Sequence, residues 1–120
     1  MDINLKVKIY LENEKDKFMG IGVLWLLQQI EQKKSLRAAA TELGISYSKA
    51  FNMIKNLEQA LDCQILERHR GGQNRDGSIL TPFALEFMKL YDDFQNQCKD
   101  LLKKPFDKFS QKLNKLSSKK

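Results

Sequence analysis

Cysteine and histidine are scarce in this chain, and long apolar runs are absent. Each shortage excludes a class of chemistry. The two cysteines of its 120 residues, Cys63 and Cys98, form no CxxC pair and no Cys/His cluster. A zinc site and a disulfide scaffold are therefore not expected, and the pair reads as two reduced thiols, buried or half-buried. The single histidine, His69, lies between two arginines with no Cys, His or carboxylate cluster around it. General acid–base or nucleophilic catalysis needs a positioned pair or triad, which is missing, so no enzyme, metal or cofactor is expected. Asp92 and Asp93 are adjacent, which on a helix points them in different directions, and they read as a solvated face. No stretch approaches the roughly 20 apolar residues of a membrane span. The opening MDINLKVKIYLE has neither the apolar core nor the cleavage site of a signal peptide, so the expected location is the cytoplasm, with no membrane partner.

What is present is a cationic excess in a particular place. The net charge is +6, and residues 99 to 120 carry eight lysines against Asp100 and Asp107, whereas residues 1 to 98 are balanced. Within the balanced part, residues 33 to 75 hold Lys33, Lys34, Arg37, Lys49, Lys55, Arg68, Arg70 and Arg75 against four carboxylates. A polyanion would meet a basic band there, which suits oriented docking on phosphates.

That band coincides with a broken helical pattern, SLRAAATELGISYSKAFNMIKNLEQAL. Ala39, Ala40 and Leu43 share one face, and the alanines let a second helix cross closely. Gly44 can take the left-handed conformation that ends a helix, and Ile45 fills the gap. Ser46 is a good N-cap for the restart, behind which Ala50, Ile54, Leu57 and Leu61 recur at helical spacing. The layout is a helix-turn-helix whose second helix turns Tyr47, Ser48, Lys49, Asn52, Lys55 and Asn56 outward. Asn52 and Ser48 are candidates for base edges, Lys49 and Lys55 for phosphates, and Tyr47 for a sugar or a thymine methyl. Arg37 is a further phosphate candidate. The alternative is an ordinary solvated helix face.

Ile65 to Arg68 and Ser78 to Leu80 read as short strands around GGQNRDG, a hairpin loop with Arg75 near its tip. Since this loop lies between strands and not before a helix, it is no Walker or Rossmann phosphate cradle. Arg68 and Arg70 alternate around His69 and could lie along a phosphate backbone, or Arg68 could pair with Glu67 or Glu58.

At the N-terminus, Leu5, Val7, Ile9 and Leu11 alternate with Lys6, Lys8, Tyr10 and Glu12, the pattern of a strand with one buried face. Asn13 to Lys17 reads as a turn. Gly20 and Gly22 precede a helix with Val23, Leu24, Leu27 and Ile30 on its apolar face, a stripe widened by Trp25 and Leu26. After the hairpin, Thr81 and Pro82 stand as N-cap and first residue of another helix. Phe83, Phe87, Leu90, Phe94, Cys98 and Leu101 continue along it for about five turns. So long an aromatic stripe suits a second copy across a two-fold axis, unless it folds back on its own domain. From Pro105, Phe106, Phe109, Leu113 and Leu116 form a narrow seam on a basic amphipathic tail, expected to fray from Ser117 onward.

The expected fold is mainly α with a small β component: a winged helix-turn-helix with a long C-terminal linker or dimerisation helix. Residues 1–102 would form the DNA-binding domain, and residues 103–120 the tail.

The stretch FMGIGVLWLLQQIEQKKSLRAAATELGISYSKAFNMIKNLEQALDCQILERHRGG, followed by ILTP, resembles the N-terminal winged helix-turn-helix of the ModE-type, molybdate-responsive bacterial transcription regulators. The wider similarity is to LysR-type DNA-binding domains. The match runs from about Leu5 to Leu102. It implies a homodimer, held by the N-terminal strand region and the linker helix, that places two recognition helices on an inverted-repeat operator of double-stranded DNA. By position, Ser46, Tyr47, Ser48, Lys49 and Asn52 take the DNA-reading role, and Arg68, Arg70 and Arg75 the wing role. Trp25, Phe83, Phe87, Leu90, Phe94 and Leu101 are the expected dimer contacts. The family points to repression of molybdate or tungstate transport or utilisation genes. Where the family usually has glycines, this chain has Asp62 and Ala84. The family's oxyanion-binding β-barrel domains have no counterpart in these 120 residues, so direct molybdate or tungstate binding is not expected. Two other readings stay open: a protein-interaction module using Trp25 and the Phe106 to Leu116 seam, and an architectural protein whose lysine tail binds duplexes without sequence preference.

Overall fold

The computed structural model describes residues 2–67 and 77–119. In chain order the elements are β1 (Leu11–Glu12), β2 (Lys17–Met19), α1 (Ile21–Lys33), α2 (Leu36–Leu43), α3 (Tyr47–Leu61), β3 (Leu66–Glu67), β4 (Ile79–Leu80), α4 (Pro82–Leu101) and α5 (Lys103–Ser118). The strands form two separate antiparallel pairs, β1 with β2 and β3 with β4. This is the winged helix-turn-helix architecture, mainly helical, with a long helix after the hairpin.

The core is built by α1, α2 and α3, with Leu24, Leu26, Leu27 and Ile30 of α1 packed among Leu36, Ala39, Ala40, Ala50, Ile54 and Leu57. Ala39 and Ala50 are completely buried, one on each arm of the helix-turn-helix. A larger side chain at either would push the helices apart. From β2, the residue before β3, β4 and α4, Met19, Ile65, Leu80, Ala84, Met88 and Tyr91 close the same core.

The N-terminal alternation is present in burial but mostly not in hydrogen bonding. Val7, Ile9 and Leu11 are half-buried and Lys6, Lys8 and Tyr10 exposed, yet Leu5 is exposed and only Leu11 and Glu12 are in strand. The expected strand is cut short because its partner, β2, has only three residues and pairs with nothing before Leu11. The intervening turn is fixed by Asn13, whose Oδ1 accepts from the N–H groups of Lys15 and Asp16 at 2.9 and 3.1 Å.

Gly22 does not precede α1, as the sequence suggests, but lies inside its first turn, and Gly20 is the N-cap. A Cβ on Gly20 would come within 2.7 Å of the Tyr10 ring, so that close approach is what the glycine serves. Leu26 is fully buried, whereas Trp25 is 53% exposed, so the apolar stripe of α1 widens on one side only.

On α4 the sequence pattern conceals a second face. Ala84, Met88, Tyr91 and Gln95 are its buried residues, and of the aromatic stripe Phe87 is half-buried against the core while Phe83 and Phe94 are exposed. The tail helix begins at Lys103, two residues before Pro105, which is tolerated because the first-turn N–H groups have no intrahelical acceptor. It continues through Ser118 instead of fraying at Ser117, and no described residue of it is buried. Phe106 and Leu113 are half-buried; Phe109 and Leu116 are exposed. Cys63 and Cys98 are both half-buried and unbonded.

Candidate nucleic-acid interface

The geometry of the interface starts from two serines and a glycine. Ser35 Oγ accepts from the Ala38 N–H at 3.0 Å and starts α2; Ser46 Oγ accepts from the Lys49 N–H at 3.0 Å and starts α3. Between them Gly44 stands at φ +69°, the left-handed region that an L side chain rarely adopts. Its N–H and that of Ile45 return to carbonyls of the last turn of α2, Ile45 to Ala40 at 3.0 Å. Each cap contributes about 1 kcal/mol by satisfying an orphan end group. Together they fix where α3 begins, and hence which of its side chains face outward.

Tyr47, Ser48, Lys49, Phe51 and Asn52 are exposed on α3. Lys55 is half-buried, with its ammonium 3.9 Å from Glu58. Asn56 is corrected from the expected outward set: it is half-buried, and its amide donates to the Lys17 carbonyl at 3.0 Å, tying α3 to β2. Ser46 spends its acceptor on the cap, leaving its O–H as a donor. Arg37 stands in the first turn of α2, where a cation works against the helix dipole. It is held there by the Tyr47 ring, with its guanidinium carbon 4.5 Å from the ring centroid.

Phe51 was not among the sequence candidates. Its ring stacks on Tyr47 with centroids 6.2 Å apart, and Lys55 Nζ lies 5.5 Å over it. The signal was available: Phe51 is one turn from Tyr47 and one from Lys55, off the buried face of Ala50, Ile54 and Leu57.

The hairpin is fastened beside α3 by named bonds. Glu58 Oε2 accepts from the Ile65 N–H at 2.9 Å, Thr81 N–H donates to the Ile65 carbonyl at 2.9 Å, and Thr81 Oγ1 donates to the Gln64 carbonyl at 2.7 Å. Ser78 N–H donates to the Lys34 carbonyl at 2.8 Å, docking the hairpin on the turn between α1 and α2. Leu66 pairs with Leu80 and Glu67 with Ile79. Both expected strands are present, each beginning one residue later than the sequence pattern, at Leu66 and Ile79. Arg68, His69, Arg70 and Arg75 lie outside the described residues.

The remaining candidates are on the helical faces. Phe83, Leu90, Phe94 and Leu101 are exposed, Leu90 to 71% and Leu101 to 75%, while Phe87 is half-buried and stacks on Phe83 at 6.3 Å. The described residues contain no cluster of three metal-ligating side chains, and none of their helices is long and apolar enough to cross a membrane.

This arrangement of capped helices and hairpin matches a recognised pattern. Residues 23–85, just over half of the chain, match the profile described as bacterial regulatory helix-turn-helix protein, lysR family. The chain belongs to that family. Among individual relatives, it is 33% identical over 87 residues to the DNA-binding transcriptional dual regulator ModE of Escherichia coli, covering 72% of this chain and 33% of that protein. It is 28% identical over 89 residues to the transcriptional regulator ModE of Haemophilus influenzae, covering 74% and 35%. The chain thus spans about a third of the length of these relatives. In fold it is similar to CbnR DBD in its complex with DNA, with a TM-score of 0.55, 21% identity and coverage of 68% of this chain and 88% of that one. It is also similar to oxidised OxyR of Corynebacterium glutamicum, with a TM-score of 0.56, 22% identity and coverage of 78% and 27%.

Proposed function

We propose that this lysR-family chain is a cytoplasmic, homodimeric, sequence-specific DNA-binding transcription regulator, and that it acts on an inverted-repeat operator as a repressor that occludes a promoter. The observation that carries the reading is the outward face of α3. Ser48, Lys49 and Asn52 stand exposed on a helix whose start is fixed by the Ser46 cap, with a hairpin fastened alongside. An amide and a hydroxyl suit base edges, and ammonium and guanidinium groups suit phosphates. In this reading Asn52, Ser48 and Tyr47 read bases. Arg37, Ser46, Lys49, Lys55 and the wing arginines Arg68, Arg70 and Arg75 hold the backbone.

Dimerisation is supported by the α4 stripe, since leucines as exposed as Leu90 and Leu101 are at odds with a helix that ends its burial within one chain. Trp25 extends the expected contact area from α1. The target genes, those of molybdate or tungstate transport or use, rest on the similarity to ModE proteins, one of them named the molybdenum transport protein ModE of Herbaspirillum seropedicae. The proposal assigns no oxyanion site and no cofactor to these residues.

The test is selection of random duplex DNA by the purified protein at near-physiological salt, followed by sequencing. An enriched inverted repeat is the expected result, and its genomic matches check the gene targets. Retention without a motif would instead favour an architectural role for the lysines of α5, and no retention would favour a protein-interaction module.

A further inference from the structure

An exposed phenyl ring at the centre of a DNA-facing helix calls for an explanation. Phe51 is 41% exposed and lies outside the buried set of α3, which is Ala50, Ile54 and Leu57. The core would close without it. Yet the ring is held from both sides along the helix: Tyr47 stacks on it at 6.2 Å with an interplanar angle of 27°, and Lys55 Nζ stands over it at 5.5 Å. Arg37 in turn covers Tyr47 at 4.5 Å. The result is a four-residue ladder with a cation at each end and two rings between them. Beside the ladder, between α3 and the hairpin, is a hollow of about 180 Å³ whose walls include Phe51, Ile54, Lys55, Leu66 and Ser78.

A phenyl ring can neither donate nor accept a hydrogen bond in the plane of a base. In the major groove the one apolar group on a base edge is the C5 methyl of thymine. Guanidinium and ammonium groups at the ends of the ladder suit the phosphates on either side of such a base, where they position without specifying. Asn52, the next residue on the helix, offers the hydrogen-bonding half of such a readout, and Phe51, one turn beyond Tyr47, offers an apolar half.

We propose that Phe51 is a specificity-determining residue that reads the C5 methyl group of a thymine, with Tyr47 holding its ring and Arg37 and Lys55 clamping the flanking phosphates. This inference rests on the DNA-binding reading above and adds to it a base preference that hydrogen bonding by Ser48 and Asn52 does not supply.

The experiment uses the full chain and the duplex obtained by selection, with each thymine of a half-site replaced in turn by deoxyuridine, which removes the methyl group and nothing else. At one thymine the replacement should weaken binding about fourfold, the value of burying one methyl group. Phe51→Ala should lower affinity for the thymine duplex and bring the thymine-to-uridine ratio to one. Asn52→Ala should weaken binding but leave that ratio unchanged. Phe51→Leu, which keeps an apolar side chain on the helix, should retain part of the preference and serves as the deciding variant if the alanine protein does not fold. Equal affinities for thymine and uridine at every position would overturn the proposal, as would a preference that survives Phe51→Ala. Failure to select any duplex is a different result, which would remove the DNA-binding reading and this inference with it.

Discussion

The Arg37 guanidinium lies over the Tyr47 ring, 4.5 Å from its centroid, and so joins the first turn of α2 to the first turn of α3 across the helix-turn-helix. The contact answers a local conflict, since a cation in the first turn of a helix is disfavoured by the helix dipole. It also holds the positive charge at the edge of the proposed DNA face. Arg37→Ala is expected to weaken binding about equally on all sequences and to reduce the salt dependence of log K by about one unit. The stability loss should be only about 0.5–1 kcal/mol, as for an exposed cation–ring pair. Arg37→Lys should recover the salt slope. Fluorescence anisotropy titrations across a salt series read all three, and an unchanged slope in the alanine protein would mean that Arg37 serves only to pack on Tyr47.

Asp62 ends α3 in the left-handed conformation, at φ +53°, with its N–H donating to the Glu58 carbonyl. An L residue there carries a steric cost that glycine does not. Asp62→Gly is therefore expected to stabilise the protein by roughly 0.5–1 kcal/mol, net of the extra freedom of glycine in the unfolded chain. Lys34, at φ +56° after α1, should respond in the same direction. Thermal denaturation of the two variants checks both, and a lower melting temperature in each would show that the αL strain is negligible at these caps.

The helix-turn-helix was legible in the sequence because its signals are local and redundant. Ser46, Gly44 and the alanines each state part of the same geometry. The same holds for Thr81 and Pro82 at the start of α4, where Thr81 Oγ1 accepts from the Ala84 N–H at 3.2 Å. Less legible were features decided by partners distant in the chain. The strand expected from Leu5 to Leu11 shrank because β2 is too short to pair with more than its end. Similarly, the inner face of α4 escaped notice because its phenylalanines drew the periodicity to the other side. Ala84, one of its inward residues, is fully buried, so a small side chain there sits directly against the core. Phe51 was missed for the opposite reason: an aromatic residue beside an apolar stripe is easily counted with the core.

If α4 joins two copies, its exposed leucines should carry the association. Leu90 and Leu101 are both more than 70% exposed, so a lysine at either should leave the fold intact. In a two-fold dimer each substitution acts twice, removing roughly 3–6 kcal/mol when a leucine side chain contributes 1.5–3 kcal/mol on burial. Sedimentation should then show a monomer at concentrations where the unsubstituted chain is dimeric, with loss of binding to the inverted repeat but not of helical content. A lysine-substituted chain that sediments as the unsubstituted one would place the association elsewhere.

The Tyr91 hydroxyl donates to the Ile9 carbonyl at 2.6 Å and is the bond that anchors the N-terminal segment to α4. Burial raises the pKa of this phenol above its ordinary value of 10.0, helped by the neighbouring charges of Tyr10 and Asp92. The neutral form is the one that donates, so the sign is determined: the unfolded chain releases this proton at lower pH than the folded one. Stability from Tyr91 is fully present below about pH 10 and is lost as pH rises through the folded pKa. Tyr91→Phe should cost about 0.5–1.5 kcal/mol at neutral pH, the net value of one hydrogen bond. The gap between the two proteins should then narrow above pH 10, since phenylalanine has no proton to lose. Urea denaturation of both proteins at pH 7, 9 and 10.5 measures that gap. A gap that stayed constant or widened with pH would show that the phenol is not held neutral by its bond to Ile9.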